Sequence, residues 1–293
     1  MSLDFMLLDV FTPKPFGGNQ LAVFPDGSDI DDRTMQAIAR EFNFSETVFA
    51  LPPRGEGEEY GLRIFTPNTE LPFAGHPTCG AAAALTVHGD VATEDGAGTI
   101  LFQTGAGPVR VDVALESGLV YAHLVRGNPV ELPSEKPPAG AAMESLGLEG
   151  APLDLFYASV GLKFAFVELA SAEEVDAARL DLASWERHFK HAWSPNLFFY
   201  ARTGEDRVHA RMFAPAFGIA EDPATGSACA AFAGALAARS ERADGAFKWD
   251  IAQGVKMGRP SAIVATAEKR GGTVVTTGVG GHSVVVGSGR LSL

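Results

Sequence analysis

Three short stretches of this chain carry residues able to move protons or hold an anion. EDPATGSACA, residues 221–230, sets Glu221 and Asp222 beside Pro223, Thr225, Gly226 and Ser227, where a run of small helix-forming residues begins. GHPTCGAAAA, residues 75–84, places Gly75 and His76 before a second alanine-rich run. NFSETVFA, residues 43–50, places Glu46 between Ser45 and Thr47 at the head of an apolar strand. The first amides of a helix have no internal partner, and the macrodipole adds partial positive charge there, so such a start can hold a carboxylate. Ser227 can donate to that ligand or cap its helix, and Asp222 can accept from the same amides or orient a catalytic partner. Asp, Ser and Pro are equally the residues of an ordinary capped helix. His76 suits a proton relay or a substrate donor, and also a local cap or a packed residue. Glu46 reads either as a salt-bridged strand end or as an acid in an apolar cleft. There its pKa would rise and it could take a proton and return it.

The elements that must position these residues are short and varied. FMLLDVF and NQLAVF read as strands around a PKPFGG loop, and residues 29–43 as a helix with Met35, Ile38 and Ala39 on its apolar stripe. Strands follow at 47–51 and 60–65, with PPRGEGEEY as a loop between them. A small-residue helix is expected at 81–87 after the GHP turn, then strands at 97–102, 109–115 and 119–124. Residues 127–140 hold four prolines with little periodicity and mark a candidate linker. Beyond it come YASVGLKFAFVELA as strand, turn and strand, a helix at 172–190, and SPNLFFYA as a strand. The helix opened by Thr225, Gly226 and Ser227 runs towards Leu236. The pattern is an antiparallel sheet with helices, not a regular alternation of strand and long helix.

The second half echoes the first. RIFTP at 63–67 matches RMFAP at 211–215, an offset of 148 residues, and each precedes a turn and a helix of small residues. NFSETVFALP stands beside WSPNLFFYAR at similar spacing. Such a repeat predicts two similar domains facing a cleft. The helices around Ala81–Ala84 and Ala228–Ala231 have so little bulk that they are expected in the middle of their domains, where low dielectric strengthens the field of their ends.

Bulk properties narrow the partners. The chain has 293 residues, 36 acidic against 23 basic, and a formal charge of -13. That disfavours binding to nucleic acid or an anionic membrane, while a pocket can still hold an anionic small molecule. Only Cys79 and Cys229 are present, which disfavours a disulfide framework. The start, MSLDFMLLDVF, does not read as a signal peptide, and no apolar run approaches the roughly 20 residues of a membrane span. A cytoplasmic location is expected. The histidines show no HExxH spacing, and Gly105 with Gly107 lacks the strand–helix fingerprint of a dinucleotide site.

DVFT…PFGGNQLAVF, NFSETVF, RIFTPNTELPFAGHPT, RMFAPAFGIAEDPATGSA and QGVKMGRPS, in this order through nearly the whole chain, resemble the phenazine-biosynthesis PhzF family, whose fold is that of diaminopimelate epimerase. The resemblance implies an α+β fold of two similar domains, each a curved, mostly antiparallel sheet around a central helix. The domains would occupy 1–128 and 129–293, the last strands able to pack back on the first, with the active site between them. It further implies a cofactor-independent isomerase, binding no metal and usually a homodimer, whose best-known member moves a proton on trans-2,3-dihydro-3-hydroxyanthranilate. The family's catalytic glutamate falls on Glu46, its histidine on His76, its aspartate on Asp222 and its substrate-contacting serine on Ser227. Gly75 and Gly226 belong to the corresponding ligand loops, which would hold a substrate carboxylate. Related epimerases and racemases use two opposing cysteines, where this chain has Ala74 and Pro223. A single acid delivering and collecting a proton on one side is therefore expected. Amino-acid epimerase or lyase chemistry, and a non-catalytic binding protein on the same fold, are the alternatives.

Overall fold

The computed structural model describes residues 2–53, 55 and 59–293, so part of the loop expected at 52–60 lies outside the described residues. By its contacts the chain divides into two compact units. One runs to Val125 and resumes at Gly280–Leu293; the other is Arg126–Val279. The proline-rich stretch after the boundary is no free linker. Glu131 exchanges backbone hydrogen bonds with Ser159, and Asn128 Nδ2 donates to the Val160 carbonyl at 3.0 Å.

The first unit contains β1 (Ser2–Val10), β2 (Asn19–Phe24), α1 (Asp32–Phe42), β3 (Glu46–Leu51), β4 (Tyr60–Phe65), β5 (Glu70–Leu71), α2 (Gly75–His88), β6 (Ala97–Thr104), β7 (Gly107–Glu116) and β8 (Leu119–Arg126). In the second are α3 (Ala139–Ser145), β9 (Asp154–Ser159), β10 (Lys163–Glu168), α4 (Ala172–Ala177), α5 (Leu182–His188), β11 (Leu197–Arg202) and β12 (Arg207–Phe213). A 3-10 turn at Pro215–Phe217 follows, then α6 (Gly226–Arg239), β13 (Gly245–Gln253), β14 (Ser261–Arg270) and β15 (Thr273–Ser292), whose C-terminal part pairs antiparallel with β1.

The two units share one pairing sequence. Along β1-β2-β3-β4-β6-β7 the pairs run antiparallel, parallel, antiparallel, parallel, antiparallel. Along β9-β10-β11-β12-β13-β14 they run the same way. This is the structural form of the RIFTP and RMFAP repeat. Parallel neighbours cannot be joined by a tight turn; they need a crossover, usually a helix. α1 supplies it between β2 and β3, α2 between β4 and β6, the α4–α5 pair between β10 and β11, and α6 between β12 and β13.

Strands β3 and β11, covered on both faces, are almost wholly buried, and so have no polar alternation. On one face of the first sheet the α1 stripe of Met35, Ile38 and Ala39 packs against Phe24, Phe49 and Phe65. α2 is different: it is buried from Gly75 to Leu85, as expected of a helix with no polar face. Its small residues are a steric requirement. A Cβ on Gly80 would lie 2.4 Å from Leu21 Cδ2 and 2.7 Å from Val10 Cγ2. In α6, a Cβ on Gly234 would lie 2.8 Å from Val130 Cγ2 and 2.9 Å from Thr277 Cγ2.

Two helices differ from the sequence expectation. α2 begins at Gly75 and not near Ala81, because Pro77 sits in the first turn, where its missing N–H needs no partner. The helix expected over 172–190 is two: Ala178 leaves the helical region at ψ 140, and Asp181 caps a new start by accepting from Ser184 N at 2.9 Å.

The break is held by Arg211. Its Nη1 donates to the Val175 and Ala178 carbonyls at 2.9 and 2.8 Å, and its other nitrogens form two hydrogen bonds of 2.8 Å to the Glu221 carboxylate. Its repeat counterpart, Arg63, holds Glu70 in the same fork. Arg211 is only 7% exposed at its side chain, whereas Arg63 is 24% exposed. Arg211→Met therefore leaves Glu221 largely buried without its partner and is expected to destabilise the protein by about 3–5 kcal/mol. Arg63→Met is expected to cost no more than about 1 kcal/mol. Urea-unfolding midpoints of the two variants check the contrast; equal losses would contradict it.

Candidate active site

In the first unit the site residues come together through backbone devices in the β1–β2 connection. Gly18 has φ +61, and a Cβ there would lie 2.2 Å from the Val10 carbonyl oxygen, so only glycine makes this turn into β2. The buried Asp9 accepts from Phe16 N at 2.7 Å and pins the preceding loop. Asn19, next after Gly18, accepts from Ser45 Oγ at 3.2 Å. Leu21 pairs with Glu46 in the parallel ladder, which sets the first residue of β3 against β2.

Glu46 meets the start of α2. Its Oε2 lies 3.6 Å from His76 Nδ1, the imidazole being 6% exposed and the carboxylate 15%. This is not an ion pair. Burial pushes the His76 pKa down to about 3, against the opposing effect of a hydrogen bond with the Gln20 backbone. The ring is neutral at pH 7, with one nitrogen a donor and the other an acceptor. His76 Nε2 is buried and makes no hydrogen bond among the described residues. A buried, unsatisfied polar atom costs free energy, and a bound polar ligand would remove that cost.

In the second unit, Asp222, Gly226 and Ser227 gather at the start of α6, with Thr225 as N-cap. Thr225 Oγ1 donates to Asp222 Oδ2 at 2.5 Å. Neither Ala74 before α2 nor Thr225 before α6 makes a side-chain cap hydrogen bond. The turn before α6 is braced from below: Ser261 Oγ donates to the Pro223 carbonyl at 2.7 Å. A Cβ on Gly254, at φ +71, would lie 2.5 Å from the Arg259 carbonyl oxygen and 2.6 Å from that of Pro223.

Sequence reasoning did not assign a role to Gln253, which is fully buried at the end of β13. Its carboxamide takes Thr225 N on the oxygen side, and on the nitrogen side donates to Thr225 Oγ1 and the Asp222 carbonyl. The readable signal was an amide at an inward position of an alternating strand. Arg211, which fixes Glu221 next to Asp222, was visible only as part of a repeat. Cys79 and Cys229 lie inside their helices and are fully buried. Burial pushes the Cys79 thiol up to about 12 and raises that of Cys229 too, helped by the Asp222 charge. Neither is poised as a thiolate. Among the described residues no helix is long and apolar enough to cross a membrane.

Comparison with known proteins adds a family. Residues 8–289 match the family described as phenazine biosynthesis-like protein. An uncharacterized isomerase of Mesorhizobium japonicum is 38% identical, over 98% of both chains. The trans-2,3-dihydro-3-hydroxyanthranilate isomerase of Pseudomonas chlororaphis is 36% identical, over 99% of both. The crystal structure of a Bacillus anthracis phenazine biosynthesis protein of the PhzF family covers 100% of both chains at a TM-score of 0.87 and 21% identity, which shows the α+β fold.

The neutral state of His76 has a measurable sign. Its folded pKa lies below the usual histidine value, so between about 3 and 6.5 the unfolded chain binds the extra proton. Stability that is full above about pH 6.5 is lost as pH falls, by up to about 1.4 kcal/mol per pH unit. The His76 ring signals in NMR are expected not to titrate between pH 5 and 8, and His76→Asn to lessen the acid sensitivity of unfolding. A His76 midpoint near 6.5 would contradict the burial argument.

Proposed function

The chain belongs to the phenazine biosynthesis-like protein family, and from that premise we propose that it shifts a proton on a small cyclic substrate, as a dihydro-hydroxyanthranilate isomerase does. At the coarser level it is an isomerase of this family acting on a small carboxylate substrate. The observation carrying the finer reading is the approach of Glu46 to a neutral, buried His76, 3.6 Å apart at the start of α2.

In this reading Glu46 removes a proton from an activated C–H beside an enamine or diene and returns it elsewhere on the conjugated system. His76, being uncharged, offers a hydrogen bond without adding a competing cation, and holds a polar group of the substrate. Asp222 holds an amino or hydroxyl group. Gly75, Gly226 and Ser227 bring backbone amides and a hydroxyl to the carboxylate and to charge that develops during transfer. A two-thiol racemase reading fails on this chain: its cysteines are buried deeper, with raised thiol pKa values, and Ala74 and Pro223 stand at the start positions. The chain is expected to work as a cytoplasmic homodimer without a cofactor.

Proton exchange followed by NMR in deuterated buffer, with dihydro-hydroxyanthranilate and a panel of cyclic amino acids, tests the proposal. Wild type is expected to take up deuterium or form product, and Glu46→Gln to slow this by about 10²–10⁴-fold while keeping the fold. Full turnover by the purified glutamine variant would sink the assignment of Glu46. Binding without any exchange would favour a cleft that only binds.

A further inference from the structure

We infer that Gln253 and Thr225 are positioning residues that hold Asp222 as a hydrogen-bond acceptor, through a relay whose polarity is set by the backbone. The inference rests on the reading of Asp222 as a substrate-facing group, and the geometry supplies the rest.

The direction of each bond follows from the one before. Thr225 N is a backbone donor, and the Asp222 carbonyl is a backbone acceptor; neither can reverse. Gln253 Oε1 accepts from Thr225 N at 3.1 Å, and Gln253 Nε2 donates to the Asp222 carbonyl at 2.8 Å. These two contacts fix the carboxamide in one orientation of the two open to it. Its nitrogen then donates its second hydrogen to Thr225 Oγ1 at 2.9 Å. The Thr225 hydroxyl, accepting there, donates its own proton to Asp222 Oδ2 at 2.5 Å.

The consequence is chemical. A hydrogen bond donated to a carboxylate favours its ionised form, so the relay keeps Asp222 an acceptor. An acceptor at this place suits an amino or hydroxyl donor on the substrate. The carboxylate end of the same substrate, which an ionised Asp222 repels, is left to the α6 amides. Glu221 is committed to Arg211, and Cys229 is a buried thiol whose proton is held more firmly by the Asp222 charge. The thiol also lies 3.9 Å from Gln253 Oε1 as a weak donor. Every polar atom of the Gln253 amide is thus used, at zero exposure.

The test is a ¹³C NMR titration of the Asp222 side-chain carboxyl in the full-length protein, without substrate. Thr225→Val replaces the hydroxyl with a methyl of similar shape, Gln253→Leu removes the amide that orients it, and Thr225→Ser restores a hydroxyl. The Val and Leu variants are expected to move the Asp222 midpoint up by about one pH unit, a tenfold change in proton affinity, and the Ser variant to return it towards wild type. Should the Val variant not fold, the Leu variant carries the same test. A folded Val or Leu variant whose Asp222 titrates like wild type would overturn the relay. Since neither substrate nor turnover enters the measurement, its failure is distinct from failure of the isomerase reading.

Discussion

α2 and α6 have no polar face to turn to water, and the rest of each unit is arranged around that fact. An alanine- and glycine-rich helix gains little from its own side chains, so its burial has to come from close approach of backbones. The approach is close: Gly80 lies against the side chains of Leu21 and Val10, and Gly234 against those of Val130 and Thr277, so that an added carbon would force them to shift. The parallel pairs β4–β6 and β12–β13 enforce the same result topologically, because each needs a crossover and these helices are the crossovers.

A helix enclosed this way leaves its two ends as the places where polarity must be settled. At the C-terminus of α6 the settlement is internal. The buried Lys269 donates to the carbonyls of Ala237, Ala238 and Ser240 at 3.1, 3.3 and 2.8 Å, placing a cation where the macrodipole is negative. The N-termini are not settled by their own N-cap side chains. His76 at the start of α2 is neutral because burial makes its cation expensive, and the same burial makes a hydrogen bond from its ring stronger than it would be in water. The structure thus places a lysine at the C-terminal end of α6, where its charge complements the dipole.

The repeat shows how one framework takes different loads. Arg63 and Arg211 occupy matching strand ends, each stacked near an aromatic ring and each forked onto a glutamate. In the second unit the arginine is more deeply buried and also takes the carbonyls that end α4, so it joins a helix break to the segment carrying Asp222. In the first unit the partner is exposed Asp32, at the start of α1. Equal residues, placed at different depths, have different energetic weight.

Much of this was legible in the order of residues. Alternation and apolar runs marked most strands, the small residues of 81–84 and 228–231 announced core helices, and Glu46, His76, Asp222 and Ser227 stood out by their places at helix starts and at the head of an apolar strand. Those features are local, and local chemistry is what a sequence records directly. Distances between segments are not. That His76 lies in a helical first turn, that its ring comes to 3.6 Å from Glu46, and that the helix over 172–190 breaks at Ala178 depend on parallel pairing and on Arg211 reaching across more than thirty residues. Gln253 is the clearest case: in the sequence it is one amide closing an alternating strand, and only the fold brings it to Thr225, where two backbone groups of fixed polarity give it a direction. Sequence determined which groups were present and how they were spaced along the chain. Tertiary structure decided which became neutral, oriented or buried, because those properties belong to the surroundings of a group rather than to the group.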